Sequence, residues 1–361
     1  MKFIALTTAT LGLLALITTG WAETHSNLQA VTASGTSAWA GSHPFTLRGV
    51  ILNNPEEMLD PAWDSGAEAS GRMGGQWQLF IQATEAGDRG GTALWMGQNY
   101  PSLGPWIPAG NLYDEATWSN ELQRINFEGA HRFRAGDLVE VTANKSLFFG
   151  GKRNVNEEHR TTHSNDFSIA LVQAGFGLPD PEILVLSNLV STGTSPIFDQ
   201  TRQSGGEAYQ GMRVRLEELR MATNYFGTNG WSKTTWDDRR CTVTDGQDRY
   251  LTLRMPRYEV GAMPSDWFSA VGIINQESGS GADGTFGYEL FVQEVGPTLR
   301  SVATGGRVLV YWSGTYTNYT LEYTTNLTGE GWTNVTAPPA KWIAVEEDPA
   351  AEPRLYRLRQ N

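Results

Sequence analysis

Two histidines and a carboxylate stand close together in one polar stretch, GGKRNVNEEHRTTHSNDF, which runs from Gly150 to Phe167. His159 and His163 are four residues apart, and Asp166 follows three residues later. Two imidazoles and one carboxylate can hold zinc or iron while leaving coordination positions open for water and substrate. Glu157 could then act as a general base. The stretch is therefore a candidate divalent-metal site of a hydrolase.

The same stretch can also be interpreted as a long loop that binds no metal. A spacing of four residues brings two ligands together on a helix, but the two threonines between the histidines give no helix signal. In the loop interpretation Asn154, Asn156 and Asp166 hydrogen-bond the backbone, and His159 packs against the fold. We favour this interpretation. No cofactor is predicted, and a divalent metal remains the alternative.

A second candidate site combines aromatic rings with cations in NYFGTNGWSKTTWDDRRC, residues 224–241. Rings beside positive charges suit stacking on nucleobases or on sugar faces. In the alternative, two of the rings close the end of a barrel and the others pack on a neighbouring module. The residues predicted to bind ligand are Tyr225, Trp231, Lys233, Trp236, Arg239 and Arg240.

Signatures of common hydrolases and nucleotide-binding proteins are missing from the sequence. It contains no Gly-x-Ser-x-Gly, no Gly-Lys-Ser phosphate loop and no His-Glu-x-x-His. Cys241 is the single cysteine, has no motif around it and cannot form an internal disulfide. We therefore expect a protein without catalytic activity.

Acidic residues outnumber basic ones along the chain. The 39 Asp and Glu residues oppose 27 Lys and Arg residues, which gives a formal net charge of −12. Such a surface repels polyanions at long range. A nucleic-acid ligand would need a locally basic groove to overcome this repulsion.

The N-terminus, MKFIALTTATLGLLALITTGWA, has the pattern of a secretory signal peptide over residues 1–22. Lys2 precedes an apolar run from Phe3 to Ile17, and Gly20 and Ala22 provide the small residues that signal peptidase needs. We expect the mature chain to begin at Glu23 and to have no integral membrane contact. Its expected location is secreted, periplasmic or on the surface of a bacterial cell.

Short strands joined by turns are the pattern of the remaining chain. One helix is predicted in GNLYDEATWSNELQRINF, where Trp118, Leu122 and Ile125 form an apolar stripe and Asn111 is the predicted N-cap. In GMRVRLEELRMA the alternation of apolar residues slips by one position after Leu216, which predicts a β-bulge. Residues 23–42 are rich in Ser, Thr, Ala and Gly and are predicted to be a flexible leader.

The phrases RGVIL and GMRVRLEEL, each followed by a hairpin, and the phrase GDLVEVTA resemble the OB-fold, a five-stranded Greek-key barrel. The likeness is greatest to the OB modules attached to secreted bacterial nucleases. The strands after residue 305, such as GRVLVYWSG and NYTLEYTTNL, resemble a fibronectin-like β-sandwich. The resemblance implies a mainly β fold: two OB-type five-stranded Greek-key barrels, residues 43–185 and 186–296, and a small C-terminal β-sandwich, residues 297–361. OB barrels usually bind ligands along strands two and three.

Together these features predict a secreted, non-enzymatic binding or accessory protein for an extracellular polymer, either a glycan or single-stranded nucleic acid. The C-terminal sandwich could bind partner proteins. Two other functions stay open. One is a metal-dependent, phosphodiesterase-like hydrolase that uses residues 150–167, and the other is a structural protein of the cell envelope.

Overall fold

The computed structural model describes residues 21–66, 74–99, 111–156, 166–193, 195–222, 231, 239–276, 287–304, 307–313, 316, 318–325, 331–335, 342–347 and 354–360. Within these ranges the chain is mainly β, with a closed five-stranded barrel and several other sheets. The predicted fold class is confirmed. No helix in the described ranges is long and apolar enough to cross a membrane.

The first module is built on one large sheet with the order β10-β7-β2-β3-β4-β9-β8, and β1 lies parallel to β2. Its strands are β1 Trp21–Ala22, β2 Phe45–Ile51, β3 Gln76–Gln82, β4 Gly91–Gly97, β5 Phe127–Glu128, β6 His131–Arg132, β7 Leu138–Ala143, β8 Leu147–Phe149, β9 Lys152–Asn156 and β10 Phe167–Gln173. Its helices are α1 His25–Leu28, α2 Pro55–Met58 and α3 Glu115–Asn126.

The predicted helix, α3, begins later than the sequence indicated. Asp114 is its N-cap, because its carboxylate accepts a hydrogen bond from Thr117 N at 2.7 Å. Asn111 is therefore not the N-cap. Trp118 and Ile125 are buried in the core of the first module, as their shared stripe predicted.

The closed barrel is formed by the second set of strands. Its elements are β11 Glu182–Leu184, β12 Arg213–Met221, β13 Arg240–Thr244, β14 Tyr250–Arg254, β15 Phe268–Gln276 and β16 Tyr288–Pro297. The ring runs β12-β13-β14-β16-β15 and closes because β15 also pairs with β12. With β14 and β16 parallel, this order is compatible with an OB-fold-like module.

The strand order of the first module is related to that of the barrel. Two of its strands, β9 and β10, together make the pairings that the last strand of the barrel, β16, makes alone. Strand β9 pairs parallel with β4, and β10 pairs antiparallel with β7. Within the described residues no pairing joins β9 to β10, so the sheet does not close there as the barrel does.

The predicted bulge lies in β12. The pairing of β12 with β15 shifts between Leu216 and Leu219, and Glu218 adopts a positive φ of 57°. Val214, Leu216 and Leu219 all contribute to the barrel core. The bulge therefore keeps apolar residues facing inward while β12 bends from β15 to β13.

The C-terminal part is a small sandwich of two three-stranded sheets, β17-β18-β21 and β20-β19-β22. A core of Val310, Trp312 and Leu321 joins strands from both sheets. The strands are β17 Arg300–Thr304, β18 Arg307–Ser313, β19 Tyr319–Thr324, β20 Thr333–Asn334, β21 Trp342–Glu347 and β22 Leu355–Gln360.

Residues 23–42, predicted to be a flexible leader, are instead packed on the first module. Thr24 caps α1, and Leu28 is fully buried in the module core. The imidazole of His25 is also fully buried, with Nδ1 2.9 Å from the hydroxyl of Thr92. The sequence did not indicate this packing, because the segment is rich in small and polar residues and only a few of its side chains are buried against the module.

Candidate binding site

The face of β3 and β4, where the OB resemblance predicts a ligand surface, is covered by the barrel. Phe80 of β3 and Ala93 of β4 form a separate apolar core with Ile273 of β15 and Phe291 of β16. The rings of Phe80 and Phe291 meet edge to face, with centroids 5.6 Å apart. A ligand cannot reach this part of the first module while the two units are docked.

Glycine allows the backbones to meet at this interface. Gly91 N donates a hydrogen bond to Gln210 O at 3.0 Å. A Cβ placed on Gly91 would collide with the carbonyl oxygen of Gly211. The docking of the first module on the barrel therefore depends on backbone contact as well as on apolar packing.

Among the residues predicted to bind ligand, Trp231 lies in the barrel core, with 6% of its surface exposed. Its Nε1 donates to Gly261 O at 2.9 Å, and its ring packs edge to face on Phe268. Tyr225, Lys233 and Trp236 lie outside the described residues.

The two arginines of the same prediction differ in environment. Arg239 is buried and donates to Met255 O at 2.6 Å and, across the interface, to Met58 O at 2.7 Å. Burial lowers the pKa of Arg239 to about 10, and nearby Arg257 adds to the effect. Arg240 is exposed. Ligand binding by this loop stays a prediction.

Of the predicted metal ligands, only Asp166 lies in the described part of the chain. Its Oδ1 accepts hydrogen bonds from Arg124 at 2.9 Å and from Phe167 N at 2.8 Å. Burial raises the pKa of Asp166, and the charge of Arg124 opposes that rise. The carboxylate thus anchors one end of the loop to α3.

Glu157, His159 and His163 lie outside the described residues. Among the residues that are described, no three His, Cys, Asp or Glu side chains are grouped so that they could hold a metal ion. The metal site stays a prediction.

A pocket of about 440 Å³ opens where the barrel meets the first strand of the sandwich. This volume is within the range of small-ligand sites, roughly 300–1,000 Å³. The lining residues that carry charge or an aromatic ring are Glu218, Arg220, Asp245, Arg249, Trp267 and Arg300. We call this set the arginine pocket.

Strand alternation places the aromatic ring of the arginine pocket. Phe268 at the start of β15 faces the barrel core, so the preceding Trp267 faces outward. Arg220 follows the inward-facing Leu219 and faces outward in the same way. The guanidinium carbons of Arg220 and Arg300 lie 5.2 and 4.2 Å from the centroid of the Trp267 ring. Both distances are within cation–π range.

The turn between β13 and β14 closes one side of the arginine pocket. Gly246 has a φ of +75°, and a Cβ there would lie 2.6 Å from Nη2 of Arg220. Asp245 accepts hydrogen bonds from Gln247 N and from Arg249 Nη1, both at 2.8 Å. The Asp245-Gly246 turn therefore also orients Arg249.

Positive charge in the arginine pocket is incompletely compensated. Asp245 pairs with Arg249, whereas neither Arg220 nor Arg300 forms an ion pair within the described part of the chain. Within that same part, Nε of Arg249 and Nη1 of Arg300 are buried without a hydrogen-bond partner. Because Arg220 and Arg300 lack carboxylate partners there, the pocket is suited to a ligand that carries negative charge.

Comparison with known proteins adds no relative. A scan against protein-family models finds no match to this chain, and searches of curated proteins and of solved structures find none.

Proposed function

We propose that this protein is a secreted, non-enzymatic binding protein for an extracellular polymer, and that the polymer is a glycan. The observation that carries the proposal is the arginine pocket, in which the partly exposed ring of Trp267 lies beside two guanidinium groups. A sugar presents weakly positive C–H groups on one face, which suit the part of the indole that the two guanidinium groups leave exposed. The signal-peptide pattern of residues 1–22 supports an extracellular location.

Two features favour a glycan over single-stranded nucleic acid. The chain carries a net charge of −12, which opposes the approach of a long polyanion. The pocket offers one ring and mixed charges, whereas proteins that bind single strands use several stacking rings along a basic groove. The alternative of a metal-dependent hydrolase gains nothing from Asp166, because its carboxylate is paired with Arg124.

Arrays of glycans and single-stranded oligonucleotides test the proposal. We expect binding to glycans, and a loss of roughly 1–3 kcal/mol, or about 5- to 150-fold in affinity, when Trp267→Ala removes the stacking ring. Phe149→Ala is the control, because Phe149 is an exposed ring of the first module. Its removal should leave affinity unchanged. The proposal fails if no glycan binds the intact protein.

We also propose that the first module and the barrel are related to the OB modules of secreted bacterial nucleases, with the sandwich fibronectin-like. The strand order of the barrel and the two-sheet packing after residue 300 support this relationship. The proposed boundaries are 43–185, 186–296 and 297–361, and the sandwich is also a proposed contact for partner proteins. Superposing the first module on the barrel in an experimental structure is the test. If their strands do not align in a shared order, the relationship is wrong.

A further inference from the structure

We infer that the arginine pocket recognises one carboxylate-bearing sugar ring of the glycan, and that the sandwich completes the site by supplying Arg300. This inference rests on the proposed function and adds the chemistry of the bound unit.

The charge balance calls for one anionic group. Three arginines and two carboxylates line the pocket, which leaves one positive charge. Asp245 pairs with Arg249, whereas Arg220 and Arg300 have no ion pair within the described residues. A planar carboxylate can take two parallel hydrogen bonds from one guanidinium. A single carboxylate would therefore neutralise the pocket.

The remaining lining groups favour a ring with hydroxyls over a run of anions. The ring of Trp267 stays partly exposed beneath the cations, so a sugar ring can contact its exposed part while its acid group meets arginine. Glu218 repels a second negative charge but can accept hydrogen bonds from hydroxyl groups. Gln247 can both donate to and accept from hydroxyls. Adjacent phosphates would meet Glu218 and Asp245 unfavourably.

The sandwich belongs to the site because Arg300 is its first strand residue. Strand β16 ends at Pro297 and β17 begins at Arg300, so only Thr298 and Leu299 separate barrel from sandwich. The guanidinium of Arg300 reaches back to Trp267 of the barrel. Removing the charge of Arg300 should thus weaken recognition of the acid group without removing the ring on which the sugar stacks.

Binding of paired oligosaccharides to the full mature chain tests the inference. The probes are neutral oligosaccharides that carry one terminal uronate residue, and the same oligosaccharides with that carboxyl group reduced to an alcohol. We expect at least one acidic oligomer to bind 10-fold or more tightly than its reduced partner. Arg300→Gln should abolish that preference, and Arg300→Lys should restore part of it, because lysine keeps the charge but not the planar fork.

Controls separate this inference from the proposed function. Arg48→Gln changes an exposed arginine of the first module and should preserve the preference, and melting temperatures identify variants that fail to fold. Equal binding of acidic and reduced oligomers, weakened alike by Trp267→Ala, overturns the carboxylate inference and leaves glycan binding in place. Tighter binding of sulfated oligosaccharides or of oligonucleotides, lost in Arg300→Gln, also overturns it. Absence of binding to every glycan overturns both.

Discussion

Arg239 and Arg240 are adjacent in sequence but differ in what they stabilise. Arg239 is buried and bridges two carbonyl groups, one on each side of the module interface, whereas Arg240 is exposed. We expect Arg239→Ala to lower the free energy of unfolding by about 2–4 kcal/mol, because it leaves the carbonyls of Met58 and Met255 without this donor. Arg240→Ala should change it by less than about 0.5 kcal/mol. Urea unfolding of both variants is the measurement, and equal effects would contradict the bridging role.

Glu207 should make stability depend on pH. Burial raises the pKa of Glu207 from 4.5 to about 7, although Tyr288 donates to its Oε1 at 2.7 Å. The native state therefore holds the proton more tightly than the unfolded chain does. The contribution of Glu207 to the free energy of unfolding is greatest below pH 4.5. It falls by up to roughly 3 kcal/mol as the pH rises to about 7.

The comparison with Glu207→Gln isolates that effect. His25 acts in the opposite direction: burial lowers its pKa, so its contribution to stability rises with pH up to 6.5. Glutamine can still accept the hydrogen bond of Tyr288 but does not ionise. Urea unfolding at pH 5 and pH 7.5 should show a smaller fall, or a rise, for Glu207→Gln. The same pH dependence in both proteins would contradict the assignment to Glu207.

The contact of Gly91 with Gly211 controls how closely the strands of the first module dock on the barrel. A methyl group on Gly91 would meet backbone atoms, which cannot rotate away as a side chain can. We expect Gly91→Ala to cost roughly 1–3 kcal/mol, the range for overpacking a filled site. Gly331→Ala is the matched control, because a Cβ there meets nothing within 4 Å. Thermal unfolding of both variants checks the difference, and equal melting temperatures would rule out a tight contact.

Elements whose order depends on local pattern could be predicted, and those that depend on distant pairing could not. The bulge of β12 could be predicted because the apolar alternation changes phase after Leu216. The division of the last strand of the first module between β9 and β10 depends on pairing with β4 and β7. No local pattern in those segments indicates such a division.

The arginine pocket shows the same limit. Trp267 directly precedes an inward-facing strand residue, so its outward position could have been found from alternation. Its pairing with Arg300 could not, because it depends on how the sandwich lies against the barrel. Conversely, the sequence directed attention to Trp231 and Arg239, which the structure places in the interior. Aromatic and cationic side chains look alike in a sequence whether they bind a ligand or fill a core.

For the whole molecule, the leader is part of the folded unit. Leu28 is fully buried in the core of the first module, and Arg202 donates to Gln29 O at 2.8 Å. We expect Leu28→Ala to lower the free energy of unfolding by about 2–5 kcal/mol. Thr36→Ala, at an exposed position of the same segment, should have little effect. Calorimetry of the mature chain is the measurement. An unchanged free energy of unfolding for Leu28→Ala would instead support the prediction of a flexible leader.

Because only two residues join β16 to β17, a ligand in the arginine pocket would contact both the barrel and the sandwich. Trp267 belongs to the barrel and Arg300 to the sandwich. A ligand that binds both residues would therefore hold the sandwich against the barrel. A force applied to the C-terminus would act on this ligand-mediated contact before it acts on the barrel strands. Resistance to mechanical stretching, measured with and without bound sugar, would then report occupancy of the pocket directly.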